Sequence, residues 1–328
     1  PRVLYLPRWG RSISGHTYAA SLLPWLPSLR GHVDVLLGSF AYPDGWAATR
    51  LGQLLGVPVV IKVHGSDINV QREDSRLRRR LREALGAAAA VVGPSEALIE
   101  RVIELGVPPS RAHVLYNGVD KSTFFPRMRE ECRQGLRLES LGIAPQTPLV
   151  VCVGRVERSK GVFDLLDALP SALARHPRLH VVFLGDGAAL GEARQYAQRG
   201  GLPVHWEGSC SPERVALWLG AANLLALPSW AEGTPNAVIE ALASGRRVVA
   251  TRVGGVAALV TQPLLGRLVA PRSPGELAAA LSDTLGEPYE PARVAEACPI
   301  GDWAQSAKCL HDVLSSVVMA EAQEARCA

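Results

Sequence analysis

Two glutamates eight residues apart, in the run Ser229-Trp-Ala-Glu232-Gly-Thr-Pro-Asn-Ala-Val-Ile-Glu240-Ala-Leu-Ala-Ser-Gly245, are the groups of this chain best placed to do chemistry. Thr234 is a good N-cap, Pro235 suits a first helical position and Gly245 can end a helix. The spacing therefore predicts a helix over 235–244, with Glu232 in the loop ahead of it. Apolar side chains surround Glu240 on nearly every face of that helix, which marks it as largely buried. A buried carboxylate needs hydrogen bonds or a counter-charge, because its desolvation would otherwise cost several kcal/mol. Either nearby backbone or an arginine supplies them, or a ligand does. The amides of Asn236 and Ala237, free at the helix N-terminus, suit phosphate or hydroxyl oxygens. Glu232 at the same mouth repels a bare anion. The expected ligand therefore carries hydroxyls for the glutamate as well as phosphate for the amides, as a nucleotide-sugar does.

Three further segments carry candidate chemistry. Gly154-Arg155-Val-Glu-Arg-Ser-Lys160-Gly161 follows a strand and sets two cations five residues apart, where ligands bind in open parallel sheets. Arg155 and Lys160 could clamp a diphosphate, the first as a bidentate fork and the second as a point charge, or both could be ordinary surface residues. His64 closes a strand just before Gly65, either as a structural histidine or at the ligand edge of its sheet. Gly185-Asp-Gly187-Ala-Ala-Leu-Gly191 has the look of a dinucleotide fingerprint, but its third glycine is one residue too far and its strand is not the first of its domain. It reads better as a tight turn bringing backbone close to a ligand or a neighbouring helix.

Short apolar runs alternating with helical patterns must position these groups, which argues for parallel sheets with helices on both faces. The first half predicts strands over 3–6, 33–38, 57–64, 90–93 and 113–116, with helices over 44–55, 75–88 and 95–105. A second set predicts strands over 149–153, 180–184, 204–206, 224–227 and 247–251, with helices over 162–174, 190–198, 212–221, 235–244 and 274–285. The expected fold class is α/β with two Rossmann-like domains. Their expected bounds are 1–123 and 148–300, joined by a linker over 124–147 and followed by a helical segment, 301–328, crossing back to the first domain.

Composition sets the outer limits. The chain has 328 residues, 48% hydrophobic and 20% charged, enough for two globular domains. Its longest uncharged apolar stretch, Ala84 to Gly93, falls well short of the roughly 20 residues that span a bilayer. With no leader pattern at the start, a cytoplasmic location is expected. The six cysteines include no Cys-x-x-Cys, so neither a zinc site nor a disulfide framework is indicated. Through Arg129 there are 17 Lys and Arg against 10 Asp and Glu, a balance of +7, leaving 18 against 21, or −3. The densest basic run is Arg72 to Arg82, where Arg72, Arg76, Arg79 and Arg80 share a helix face. That face is either simply solvated or drawn to anionic lipid headgroups or a lipid-phosphate acceptor at the inner face of a membrane. Aromatics are too few among the arginines for nucleic acid.

Taken together, Tyr42-Pro-Asp-Gly45, His64-Gly-Ser-Asp67, Val92-Gly-Pro-Ser95, Asn117-Gly-Val-Asp120 with Phe125-Pro126, Gly154-Arg155 with Lys160-Gly161, Gly185-Asp-Gly187 and the Glu232/Glu240 pair resemble the family 4 (group 1) glycosyltransferases of the GT-B fold. The likeness runs over nearly the whole chain. It implies a retaining enzyme moving a sugar from a UDP- or GDP-linked donor to a saccharide or lipid-linked acceptor hydroxyl, in a cleft between two domains. By that resemblance Arg155 and Lys160 hold the diphosphate and stabilise the leaving group, and Glu240 binds the ribose. Glu232 and the backbone after Gly233, through Thr234, Asn236 and Ala237, bind the donor, with Gly154 and Gly187 beside it, and His64 faces the reacting sugar. No metal or other cofactor is implied, and no Asp-x-Asp triplet is present to hold one. The form of these motifs looks most like bacterial enzymes of cell-surface polysaccharide assembly, including the teichuronic-acid type.

Two departures stand out. The chain starts at Pro1 without methionine, where the family has a strand and a glycine-rich loop, so the first domain is expected to lack its opening βαβ portion. Gly254-Gly-Val-Ala-Ala258 has Ala258 where the family commonly carries a glutamate. Two other readings share the architecture: a nucleotide-sugar 2-epimerase, and a chain that binds nucleotide without turnover.

Overall fold

The structure, a computed structural model, describes residues 13–69 and 75–327. Contacts divide it into two units, one of residues up to Asn117 together with those from Ala304 onward, the other Gly118–Trp303.

The first unit is built on four parallel strands, β1 (Leu36–Ser39), β2 (Val59–Lys62), β3 (Ala90–Gly93) and β4 (Ala112–Val114), in the order β1-β2-β3-β4. Register is set by pairs such as Leu36 with Val59, Val60 with Ala90 and Val91 with Ala112. These strands are short and aliphatic because both sheet faces are covered, as parallel sheets require. One face packs Ile61, Val63 and Val91 against Trp46, Leu81 and Leu85 from the helices Trp46–Leu55 and Ser75–Ala87. On the other, Val60, Val92 and Leu115 meet Leu310, Val313, Leu314 and Val317. Those last four form an apolar stripe at helical spacing along the helix Trp303–Cys327. The strand expected over 3–6 lies outside the described residues. Helix Ser14–Leu22 has no counterpart among the expectations, because glycine, serines and threonine interrupt its apolar periodicity.

The second unit has six parallel strands, β5 (Leu149–Val153), β6 (His180–Leu184), β7 (Val204–Gly208), β8 (Leu224–Leu227), β9 (Arg247–Thr251) and β10 (Gly266–Val269), in the order β10-β9-β8-β5-β6-β7. The chain builds outward from β5 through β6 to β7, then returns to the other side of β5 for β8, β9 and β10. The order therefore reverses between β5 and β8, and a crevice opens there at the carboxyl ends of the strands. Strand β10 has no counterpart among the expectations because a glycine opens Gly266-Arg-Leu-Val and a charged residue interrupts its apolar run. Gly266 has φ +141°, and a Cβ on it would lie 1.8 Å from the Val248 carbonyl oxygen, so only glycine fits beside β9.

Residues 124–147 are packed into the second unit, and buried Arg133 shows why. Its guanidinium donates to the carbonyls of Ala221 (3.0 Å), Thr147 (2.9 Å) and Pro145, tying this stretch to the end of helix Pro212–Ala221. A cation buried 7% exposed without those acceptors would be costly.

Candidate functional site

The helix carrying Glu240 runs from Asn236 to Ala243, one residue shorter at each end than its sequence predicts. Pro235 occupies the N-cap, with an extended backbone (φ −75°, ψ 114°) and no side-chain cap bond, so Thr234 lies one position before the cap instead of forming it. Gly245 does close the helix, left-handed at φ +71°, with its N–H donated to Leu242. Val238 and Ile239 donate back to the Pro235 carbonyl, whereas the Ala237 N–H has no acceptor among the described residues.

This helix mouth borders a cavity at the crevice between β5 and β8. Its walls are Cys152 to Val156 at the end of β5, Lys160, Leu227 and Ser229 at the end of β8, Glu232, and Pro235 to Ala237. Two loops distant in sequence meet there. The Lys160 Nζ lies 2.7 Å from Glu232 Oε1, with side chains 25% and 10% exposed. Sequence assigned these residues separately to phosphate and sugar, and the fold makes them an ion pair. Arg155 is brought to the same cavity but is 70% exposed and paired with Glu157 at 2.6 Å. Cys152 lies in the wall, its thiol pushed up to about 12 by burial, with Glu232 adding to the rise and Lys160 opposing it. That thiol stays protonated and unreactive near neutral pH.

Glu240 sits one helical turn from Asn236 on the same face, outside the cavity wall itself. Its carboxylate accepts no hydrogen bond and joins no ion pair among the described residues, and burial alone raises its pKa. Among the described residues neither backbone nor an arginine satisfies it.

Glycines set the loops at contact distance. Gly161, at φ +68°, would place a Cβ 2.0 Å from the Pro228 carbonyl oxygen, and Gly254, at φ +51°, would place one 2.0 Å from that of Glu232. The Gly255 N–H donates to Gly233 O at 2.7 Å, so the Glu232–Gly233 backbone is held from beneath by the loop after β9. Gly187 does not line the cavity; a Cβ there would meet Val156 O at 2.5 Å, and its part is to let the loop after β6 lie against the loop after β5. Gly233 and Thr234 also lie off the wall. The support given by Gly254 and Gly255 was missed in sequence reading, although the glycine pair was its visible signal.

In the first unit, His64 stands at the carboxyl end of β2, its Nε2 2.9 Å from Ser39 Oγ and its ring centroid 4.4 Å from that of Phe40. Burial lowers its pKa, Asp67 opposing and Lys62 reinforcing the shift, which keeps the imidazole neutral at pH 7. Asp67, 3% exposed, is the residue sequence reading undervalued. Its Oδ1 accepts from the N–H groups of His64 (3.0 Å), Gly65 (2.9 Å) and Ile68 (3.2 Å), and its Oδ2 from Ala41 N–H (2.9 Å). One carboxylate thus binds the loop after β2 to the loop after β1 by charge-assisted bonds.

The basic face expected over Arg72–Arg82 is partly used internally. Arg72 lies outside the described residues. Arg79 and Arg80 pair with Glu83 at 3.0 and 2.8 Å, and Arg80 also sits over the Trp46 ring. Their ion pairs, with a bond from Trp46, hold the Glu83 carboxyl down to about 2. Among the described residues no helix is long and apolar enough to cross a membrane, and no cluster of three or more His, Cys, Asp or Glu could hold a metal ion.

Solved structures place this architecture in a class. The Anabaena protein HepE, in a crystal structure with UDP and glucose, superposes with a TM-score of 0.75 at 22% identity, over 92% of this chain and 82% of its own. The sucrose-phosphate synthase of Thermosynechococcus elongatus gives 0.74 at 21%, over 96% and 81%. Two parallel α/β sheets of this kind define the GT-B glycosyltransferase fold. Sequence takes the assignment further. Residues 1–123 match the family described as Glycosyltransferase Family 4, and residues 147–287 match Glycosyl transferases group 1. The Bacillus subtilis protein named as the teichuronic acid biosynthesis glycosyltransferase TuaC is 34% identical over 267 residues, 80% of this chain and 64% of that protein. D-inositol 3-phosphate glycosyltransferase 2 of Catenulispora acidiphila is 30% identical over 82% of this chain and 69% of its own. The chain belongs to the family 4 (group 1) glycosyltransferases, and it spans about two thirds of the length of these two relatives.

Proposed function

We propose that the chain takes part in retaining transfer of a sugar from a nucleotide-diphospho-sugar to an acceptor hydroxyl, in the assembly of a cell-surface polysaccharide or glycolipid. The observation that carries the donor half is the Lys160–Glu232 pair beside the Ala237 N–H, which has no acceptor among the described residues, at the point where the strand order reverses. An ammonium has three N–H donors, so Lys160 can hold Glu232 and a phosphate oxygen together. Arg155, exposed at the same wall, adds a bidentate fork for the diphosphate. As the C1–O bond to the leaving diphosphate breaks, these cations and the helix amide meet the growing negative charge, a preorganised electrostatic effect. The acceptor oxygen bonds to C1 on the same face as its hydroxyl proton passes to the departing diphosphate oxygen. Glu232 accepts from sugar hydroxyls, and the unpartnered Glu240 accepts from the ribose. Neutral His64 is assigned to the reacting sugar as a hydrogen-bonding group.

A UDP-linked donor is the preferred form, supported by the UDP and glucose named for the Anabaena relative in fold. The exposed arginines of helix Ser75–Ala87 within the run Arg72–Arg82, namely Arg76, Arg78, Arg79 and Arg82, are assigned to anionic lipid at a peripheral membrane position. Calorimetry with UDP and with GDP tests the donor site: saturable binding of one of them is expected, and no heat from either at several millimolar would refute every donor assignment. Proton NMR of a product formed from a UDP-sugar tests the stereochemistry, with the donor's anomeric configuration expected to be kept.

A further inference from the structure

The two loops that carry Lys160 and Glu232 are joined by one residue that the donor reading does not use. Trp230 lies two positions before Glu232, and it is bonded three ways. Its backbone N–H donates to the carbonyl of Ser159, the neighbour of Lys160, at 2.8 Å. Its indole Nε1–H donates to Asp164 Oδ2 at 2.7 Å, in the first turn of helix Val162–Arg175. The guanidinium of Arg272 covers its ring, 4.3 Å from the centroid. Arg272 forms no ion pair among the described residues and holds a left-handed backbone at φ +57°, a conformation that is strained for a residue with a side chain.

From this arrangement we infer that Trp230 and Asp164 are positioning residues for the Lys160–Glu232 pair. The short segment from Trp230 to Glu232 has little freedom once the indole is fixed at one end and Gly233 O is held by Gly255 N–H at the other. Helix Val162–Arg175 is a rigid reference, since Leu165, Leu166 and Leu169 are fully buried in the core of the unit. Asp164 transmits that rigidity to the indole, and the indole transmits it to Glu232. Arg272 lies over the ring, where the guanidinium is attracted to the ring's negative face and adds to the hold on the indole. That the pair holds a donor is the reading given above; the clamp on its geometry stands apart from it.

Amide hydrogen exchange on the whole chain, read by mass spectrometry, separates the two. In Trp230→Phe, which keeps a ring beneath Arg272 but loses the N–H, and in Asp164→Ala, exchange over segments 158–161 and 228–237 should rise about tenfold, with the β5 and β6 strands unchanged. Asp164→Asn retains an acceptor oxygen and should restore most of the protection. UDP affinity, measured by calorimetry, should fall by about three- to tenfold in the first two variants and recover in the third. A rise spread evenly over the second unit, no local rise, or Asp164→Asn behaving like Asp164→Ala would overturn the positioning role. Failure of the unaltered chain to bind UDP would count against the donor reading alone, and the exchange pattern would still decide the clamp.

Discussion

Replacing Glu240 with glutamine should make the protein more stable and a poorer binder of nucleotide. The Glu240 carboxyl has no partner among the described residues, and its pKa is raised by burial alone. A carboxyl whose pKa is higher folded than unfolded holds its proton more tightly in the native state. Its contribution to stability is therefore fully present below the unfolded value and is lost as pH rises through the folded one. At pH 8 the ionised group costs stability. A fully buried unsatisfied group costs about 1–3 kcal/mol, and the Glu240 carboxylate is only partly shielded from water, so Glu240→Gln should gain a fraction of that, roughly 0.5–1 kcal/mol. That corresponds to about 1–4 °C in the unfolding midpoint of the second unit. At pH 4 most of the gain should be gone, because that is below the ordinary glutamate value of 4.5 and Glu240 is then mostly protonated in both states. Binding moves the other way. A hydroxyl bond to a carboxylate is worth about 1.5–3 kcal/mol and one to a neutral acceptor about 0.5–1.5, so UDP affinity should drop roughly five- to tenfold. Thermal unfolding at pH 4 and pH 8, with calorimetry of UDP and of 2′,3′-dideoxy-UDP, provides the assay. The dideoxy analogue should bind both proteins alike. Destabilisation by the substitution at pH 8, or an equal loss of affinity for UDP and its dideoxy analogue, would refute the reasoning.

Two further outcomes follow from the same geometry. Lys160→Met leaves Glu232, 10% exposed, without its counter-ion and should cost about 2–3 kcal/mol in urea unfolding, with Lys160→Met/Glu232→Gln recovering at least half; a double variant no more stable than the single one would deny the pairing its importance. Asp67→Asn keeps one acceptor oxygen but presents an NH2 group to backbone donors, and should destabilise the first unit by about 2–3 kcal/mol, read by urea unfolding of its far-ultraviolet signal.

The strands of both sheets were legible because parallel strands covered on two faces read as uninterrupted aliphatic runs, as in Leu149-Val-Val-Cys-Val153. What escaped was structure whose reason lies in a neighbour. Strand β10 depends on Gly266 fitting beneath Val248, and the start of helix Asn236–Ala243 depends on the extended backbone at Pro235, which local propensity places one residue earlier. The site shows the same division. Arg155 and Lys160, five residues apart, look equivalent in sequence, yet one is exposed beside Glu157 and the other is half-buried against Glu232.

By itself the sequence determined which groups the protein brings to its chemistry: a glutamate in a loop ahead of a helix, a second on that helix, two cations after a strand, and a histidine closing another. These follow from local spacing, since a cap, a turn or a strand end is specified by a few adjacent residues. Only the tertiary structure decided which of them meet. Lys160 and Glu232 are 72 residues apart and become partners because β8 inserts beside β5 after the chain has already laid down β6 and β7. The same crossing brings Trp230 onto Asp164 and leaves Glu240 with no counter-charge among the described residues. Pairing across a sheet is a property of strand order, and strand order is settled by burying every face of the sheet at once, a condition that no single segment contains.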